Sequence, residues 1–251
     1  IPLRESKEFR LDIDELTGLI TPRTKLLIVN SPANPTGGVL DRADLSAIAD
    51  LAVRHDLIVL ADEIYSELLY EGEHVSLTTM PGMAERTILL DGFSKTYAMT
   101  GWRLGYGLMP HSLVEAVNKL MVNSVSCTTM AVQRAGIEAL TGSQEAVRQM
   151  REAFRRRRDL IVAGLNQIPN ISCLTPKGAF YVFPNISATG QKSKAFADAL
   201  LNEHGVAALA GTAFGAAGEG YLRLSYANSE ENLTKALERI STACHALADA
   251  R

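Results

Sequence analysis

The sequence predicts an α/β protein, with a mostly parallel sheet in a larger domain and a smaller α/β domain at the C-terminal end. Three observations predict it. Short apolar runs alternate with helical periods through the front half of the chain. Each of those runs breaks into a turn-rich string that carries polar residues. Beyond residue 142 a long helical period opens a tail in which short strands and helices are mixed differently.

The elements follow in order. "KLLIVN" (25–30) is an apolar run that ends in "SPANPTGG", a dense turn cluster. Asp41 is placed to cap the next helix, whose Leu45, Ile48, Ala49 and Ala52 fall on one face. "LIVLAD" (57–62) and "RTILLD" (86–91) read as the second and third strands, and strands separated by helices argue for parallel pairing. "RLGYGLM" (103–109) reads as a fourth strand. Its link from "RTILLD" has no helical period, which suits an antiparallel return.

From about 111 to 140 the pattern is helical, and 143–168 reads as one long helix. The four arginines 155–158 read as the solvated face of that connecting helix. In the tail, "SCLTP", "AFYVFP", "VAALAG" and "YLRLSYA" read as short strands. "KAFADALLNEHG" and "SEENLTKALERISTACHALAD" read as helices, the second opened by a Ser229-x-x-Asn232 cap. The division is therefore 1–142 for the larger domain and 143–251 for the smaller one with its long helix.

Composition narrows the function classes. With 47% hydrophobic and 21% charged residues, the chain has the makings of a packed core. A formal net charge of −3 gives no general attraction to nucleic acid or acidic lipid. No apolar run is long enough to span a bilayer. The three cysteines, Cys127, Cys173 and Cys244, are scattered with no metal-binding spacing, so they read as reduced thiols of a cytoplasmic protein, and no metal is expected.

Ligands of open α/β sheets collect beyond the carboxyl ends of the parallel strands. Here the strand ends deliver Asn34 in "NPTG", Asp62 with Tyr65 in "ADEIY", and Ser94 with Lys95 in "SKTY"; Arg103 then returns as the fourth strand begins. A sheltered lysine can bond covalently to an aldehyde. An arginine can clamp a phosphate, and a carboxylate can keep a pyridine nitrogen protonated. Together these describe a site for pyridoxal 5'-phosphate.

Those residues sit in strings that resemble the class I/II aminotransferases, the fold-type I pyridoxal-phosphate enzymes. "SPANPTGG", "ADEIYSELLY", "SKTYAMTGWRLGY", "KGAFYVFP" and "YLRLSYA" occur in that family's order and spacing. The resemblance implies that Lys95 carries the cofactor and serves as general base, and that Asp62 pairs with the ring nitrogen. It gives Asn34 and Tyr65 to the phenolic oxygen, Ser94 and Arg103 to the phosphate, and Arg223 to the substrate α-carboxylate. It also implies a cis bond between Asn34 and Pro35, amino acid and 2-oxo acid substrates, and a homodimer in the cytoplasm.

Family members are longer at the front, so the chain is expected to be N-terminally truncated. The missing part would carry the first sheet strands, a Gly/Ser-rich phosphate loop and an aromatic that stacks on the ring. "KLLIVN" and "RLGYGLM" are then expected to be bare apolar edges, and residues 1–251 alone are expected to transaminate little. Two other activities share the scaffold. One is β-elimination by a carbon–sulfur lyase, because the cofactor supplies the same carbanion chemistry. The other is non-enzymatic sensing by an aminotransferase-like domain of a transcription regulator.

Overall fold

The structure, a computed structural model, describes residues 1–249. The C-terminal domain read from the sequence extends to residue 251, so its last two positions lie outside the described residues. Contacts group the chain into two compact units that interleave in sequence. The first combines Ile1, Arg10–Pro32 and Val39–Gln149; the second combines Pro2–Phe9, Ala33–Gly38 and the chain from Met150 onward.

The first unit is built on a four-stranded sheet in the order β1-β2-β3-β4. The strands are β1 (Leu26–Asn30), β2 (Ile58–Asp62), β3 (Thr87–Gly92) and β4 (Gly105–Leu108). The first three run parallel, and β4 returns antiparallel beside β3, as the absence of a helical period between them predicts. Asn30 lies opposite Asp62, Asp62 opposite Leu90, and Gly92 opposite Gly105. The parallel strand ends thus share one edge.

Helix α2 (Arg42–Arg54) covers one face of this sheet. It starts where the sequence places it because Asp41 and Asp44 form a reciprocal capping box. Arg10 satisfies the buried Asp44 through Nε at 3.0 Å and Nη2 at 2.9 Å. Leu45, Ile48, Ala49 and Ala52 pack against Leu57, Val59 and Ala61, with Leu16 of α1 (Ile13–Leu19) closing the core.

β2 and β3 run parallel although the link between them holds no α-helix among the described residues. Leu77, Met80 and Met83 of that link are buried in the same cluster as α2, so an irregular segment supplies the apolar cover that a helix would give. Both edge strands carry exposed apolar residues: Leu26 and Ile28 on β1, Tyr106 and Leu108 on β4. Helix α3 (His111–Val125) buries none of its residues, and α4 (Met130–Thr141) buries only Gly136.

The second unit contains an antiparallel sheet in the order β5-β7-β6. Its strands are β5 (Tyr181–Val182), β6 (Leu209–Ala210) and β7 (Leu222–Ser225). "SCLTP" makes a single bridge, Ser172 to Asn185, where the sequence suggests a strand. Asn166 clasps the Cys173 backbone from both sides at 2.8 and 2.9 Å, which diverts local hydrogen bonding to a side chain.

Helices α5 (Glu145–Leu165), α6 (Ser193–Asn202) and α7 (Glu230–Asp249) occupy the helical stretches read from sequence; most of α5 falls in this unit. Ser229 caps α7 through the Asn232 N–H at 3.2 Å. The core includes Phe154, Ile161, Leu165, Phe196, Leu200, Leu222 and Tyr226, whose hydroxyl donates to Ala179 O at 3.1 Å. The arginine run does not form one solvated face. Arg158 is buried, pairs with Asp159 and donates to Pro176 O at 3.2 Å. Among the described residues no helix is long and apolar enough to cross a membrane.

Pro2–Phe9 joins this unit through specific contacts. Glu5 accepts from Asn185 at 2.7 Å and from the Tyr221 hydroxyl at 3.0 Å, and Phe9 meets Phe183 and Tyr221 edge-on. Ala33–Gly38 joins it because the Gly37 carbonyl accepts from both Lys177 N and Gly178 N at 3.0 and 3.1 Å. Gly37 has φ +67°, and a Cβ there would lie 2.3 Å from Pro176 Cβ. Gly37→Ala is therefore expected to destabilise the protein by roughly 2–5 kcal/mol, from overpacking together with left-handed backbone strain. Thermal unfolding checks this; an unchanged midpoint would show that the loop yields at no cost.

Candidate active site

Asp62 ends β2 because the apolar alternation of Val59 and Ala61 stops there. Its backbone is tied to β1: Asn30 Nδ2 and Ser31 N both donate to Asp62 O, at 3.0 and 3.2 Å. Its side chain accepts from Ile64 N at 3.3 Å and starts a turn, not the helix that an N-cap would open. The carboxyl is half-buried, and this desolvation raises its pKa against the lowering effect of the Ile64 N–H. Among the described residues no cationic side chain pairs with it. Tyr65 follows in the same turn, with only 3% of its surface exposed.

Sequence reasoning missed Glu63. Its backbone N donates to Leu90 O at 2.9 Å, and its carboxylate is buried. That carboxylate lies 2.7 Å from His74 Nε2 and accepts from Ser76 Oγ at 3.0 Å and Leu77 N at 3.1 Å. It thus pins the long β2–β3 link against the turn that carries Asp62 and Tyr65. A buried polar group with three partners holds its surroundings in one arrangement. The acid was visible in "ADEIY", but nothing local signals that it points away from solvent.

Ser94 and Lys95 leave β3 in a tight turn. Tyr97 N and Met99 N both donate to Phe93 O at 3.2 Å, and Ala98 N donates to Lys95 O at 3.2 Å. Both side chains are half-buried. Phe93 anchors the turn in the interior, edge-on to Tyr106. With Gly92 opposite Gly105 and Phe93 N bonded to Leu104 O, the antiparallel return brings Arg103 back to the end of the sheet where Ser94 leaves it. The Arg103 side chain is exposed, and its Nη1 donates to Thr100 O at 2.9 Å. Asp91, also at the end of β3, has its pKa raised by burial, and burial together with Asp91 pushes the Tyr106 hydroxyl up to about 12.

The second unit holds the other two candidates. Asn34 and Arg223 are 189 residues apart in sequence, yet Arg223 Nη1 donates to Asn34 Oδ1 at 2.9 Å. The bond from Asn34 to Pro35 is cis, as expected, and Ser31–Pro32 is cis as well. The Arg223 guanidinium carbon lies 4.5 Å from the Tyr181 ring centroid and 5.1 Å from that of Phe214. In the first unit, then, Asp62, Tyr65, Ser94, Lys95 and Arg103 come from one end of one sheet. In the second, Asn34 and Arg223 are in direct contact.

These residues fit pyridoxal 5'-phosphate by their chemistry. A desolvated carboxylate without a cation suits a protonated ring nitrogen, a half-buried lysine suits the aldehyde, and serine with arginine suits the phosphate.

Known proteins align with the same segments. The family model for aminotransferase class I and II matches residues 1–240. An aspartate aminotransferase of Pyrococcus abyssi is 47% identical over 96% of this chain and 62% of its own length. An arginine–pyruvate transaminase of Pseudomonas aeruginosa is 43% identical over 96% of this chain and 61% of its own. The crystal structure of an aromatic aminotransferase from Pyrococcus horikoshii OT3 superposes with a TM-score of 0.94 at 46% identity, covering 97% of this chain and 66% of that one. The chain thus spans less than two thirds of the curated relatives it matches.

Proposed function

The chain belongs to the class I and II aminotransferases, and from that premise we propose that the protein moves an amino group between an L-amino acid and a 2-oxo acid with pyridoxal 5'-phosphate. The observation that carries the reading is Asp62, a half-buried carboxylate without a cation, at the same sheet edge as Lys95. In this reading the first unit is the larger, cofactor-binding domain, and the second, which takes in Pro2–Phe9 and Ala33–Gly38 besides the chain from Met150, is the smaller one. The protein works as a cytoplasmic homodimer.

In this reading the cofactor supplies an electron sink for the pair of electrons left when the substrate Cα proton departs. The chain's residues do the rest. Lys95 would hold the aldehyde carbon, and its Nζ would serve as the base for the Cα proton. Asp62 would keep a proton on the ring nitrogen. Tyr65 and Asn34 donate to the phenolic oxygen; an amide that accepts from Arg223 at Oδ1 donates through Nδ2. Ser94 and Arg103 hold the phosphate. Arg223 meets the substrate α-carboxylate with its remaining N–H groups.

The test gives the cofactor-loaded protein L-aspartate, L-arginine or an aromatic amino acid, each with 2-oxoglutarate. Formation of glutamate together with the matching 2-oxo acid supports amino transfer. Pyruvate release from cystathionine with no glutamate would assign the protein to the lyases, and cofactor binding without any turnover would favour a sensor.

A further inference from the structure

Two aromatic rings lie against the Arg223 guanidinium, and they differ in kind. Tyr181 is 8% exposed and belongs to β5, beside β7, which carries Arg223. Phe214 is 40% exposed and sits in the 211–220 loop. Asn34 takes one edge through Nη1, and among the described residues the other N–H groups of Arg223 make no hydrogen bond. The guanidinium carbon lies over both ring faces. The edge not taken by Asn34 can meet an anion in the geometry a bidentate carboxylate requires.

Phe214 is held over the guanidinium by its loop. Gly211 N donates to Tyr221 O at 2.8 Å, and Gly211 and Gly218 cross so closely that a Cβ on either would lie 2.1 Å from the other's carbonyl oxygen. Phe214 also meets Phe183 edge-on, with centroids 6.3 Å apart, and Phe183 stacks on Tyr221 at 5.0 Å. The loop is thus closed at its neck and its aromatic is buttressed from one side, leaving the other side open.

We infer that Phe214 is a positioning residue for Arg223. It fixes the plane of the guanidinium so that its unbonded edge faces the substrate, and it shields that edge's charge from water. The inference rests on the reading of Arg223 as the α-carboxylate site. Its consequence is specific: the α-carboxylate is common to every amino acid and 2-oxo acid substrate, so Phe214 governs affinity for all of them alike and does not select among side chains.

In the holoenzyme, Phe214→Leu keeps bulk but removes the π face, and Phe214→Tyr keeps the face. Losing one cation–π face predicts a KM higher by roughly 2- to 30-fold. Phe214→Leu should show this rise equally for the amino acid and for the 2-oxo acid, with kcat little changed, and Phe214→Tyr should restore KM. Independently of turnover, phenylglyoxal should modify Arg223 faster in Phe214→Leu, as read by peptide mapping, and a simple monocarboxylate should protect it less well. An unchanged KM, a rise for one substrate only, or a loss confined to kcat would overturn the inference. Arg223→Lys is measured alongside. If it leaves KM for both substrates intact, the carboxylate reading of Arg223 fails and the inference with it; if it raises KM while Phe214→Leu does not, only the inference fails.

Discussion

Lys95→Ala is expected to lose amino transfer by at least about four orders of magnitude while the protein stays folded. Removing a positioned general base alone costs about 10²- to 10⁴-fold, and this lysine is also the proposed covalent anchor, so the loss lies at or beyond the top of that range. The fold should survive because the turn around Lys95 is held by main-chain bonds to Phe93 O and by the buried Phe93 ring. Cofactor should still bind weakly through the phosphate partners Ser94 and Arg103. The direct measurement is borohydride reduction of the loaded wild-type protein followed by peptide mapping, with the pyridoxyl group expected on Lys95. A label on Lys119 or on Lys177, which pairs with Glu8 at 2.8 Å, would sink the assignment.

What the sequence made legible is whatever local pattern controls. The three parallel strands were readable because each is a short apolar run stopped by a turn string, and α2 because its cap and apolar face lie within a few residues of each other. The first-unit candidates were readable for the same reason: Asp62, Ser94 and Lys95 are what comes next when an apolar strand ends. Contacts made across long stretches of chain were not readable. The Asn34–Arg223 bond spans 189 residues, and no spacing rule connects them; the resemblance named both residues, but their pairing needed the fold. Arg158 in its run of four looks like any solvated arginine until the Pro176 carbonyl arrives from another segment. Glu63 is an acid beside an acid, and only the return of His74, Ser76 and Leu77 makes it an interior anchor. Phe214 sits in a glycine-rich stretch that reads as an ordinary turn, and its place over Arg223 depends on a backbone crossing of Gly211 and Gly218.

Asp62→Asn should produce opposite effects on stability and on catalysis. The variant keeps an oxygen that can accept from Ile64 N, so the turn after β2 is preserved. What it removes is the charge. Burial raises the Asp62 pKa above 3.8, so the folded state holds this proton more tightly than the unfolded chain does. A raised pKa of this kind favours the fold below the unfolded value, and the benefit is lost as pH rises through the folded value. At neutral pH, therefore, the ionised Asp62 of the cofactor-free protein is a cost with no cation to offset it. Asp62→Asn should leave the cofactor-free protein at least as stable as wild type at neutral pH, and its stability should vary less with pH just above 3.8. With the cofactor bound the sign reverses. A protonated ring nitrogen facing an amide loses its charge partner, and breaking a buried pair costs roughly 3–5 kcal/mol; at a half-buried site the lower end applies, which is a rate loss of about a hundredfold. Calorimetry of the cofactor-free variant and single-turnover kinetics of the loaded one check the two halves separately. A near wild-type rate would reduce Asp62 to the partner of Ile64 N, and a clear drop in cofactor-free stability would show that its charge already has a stabilising partner.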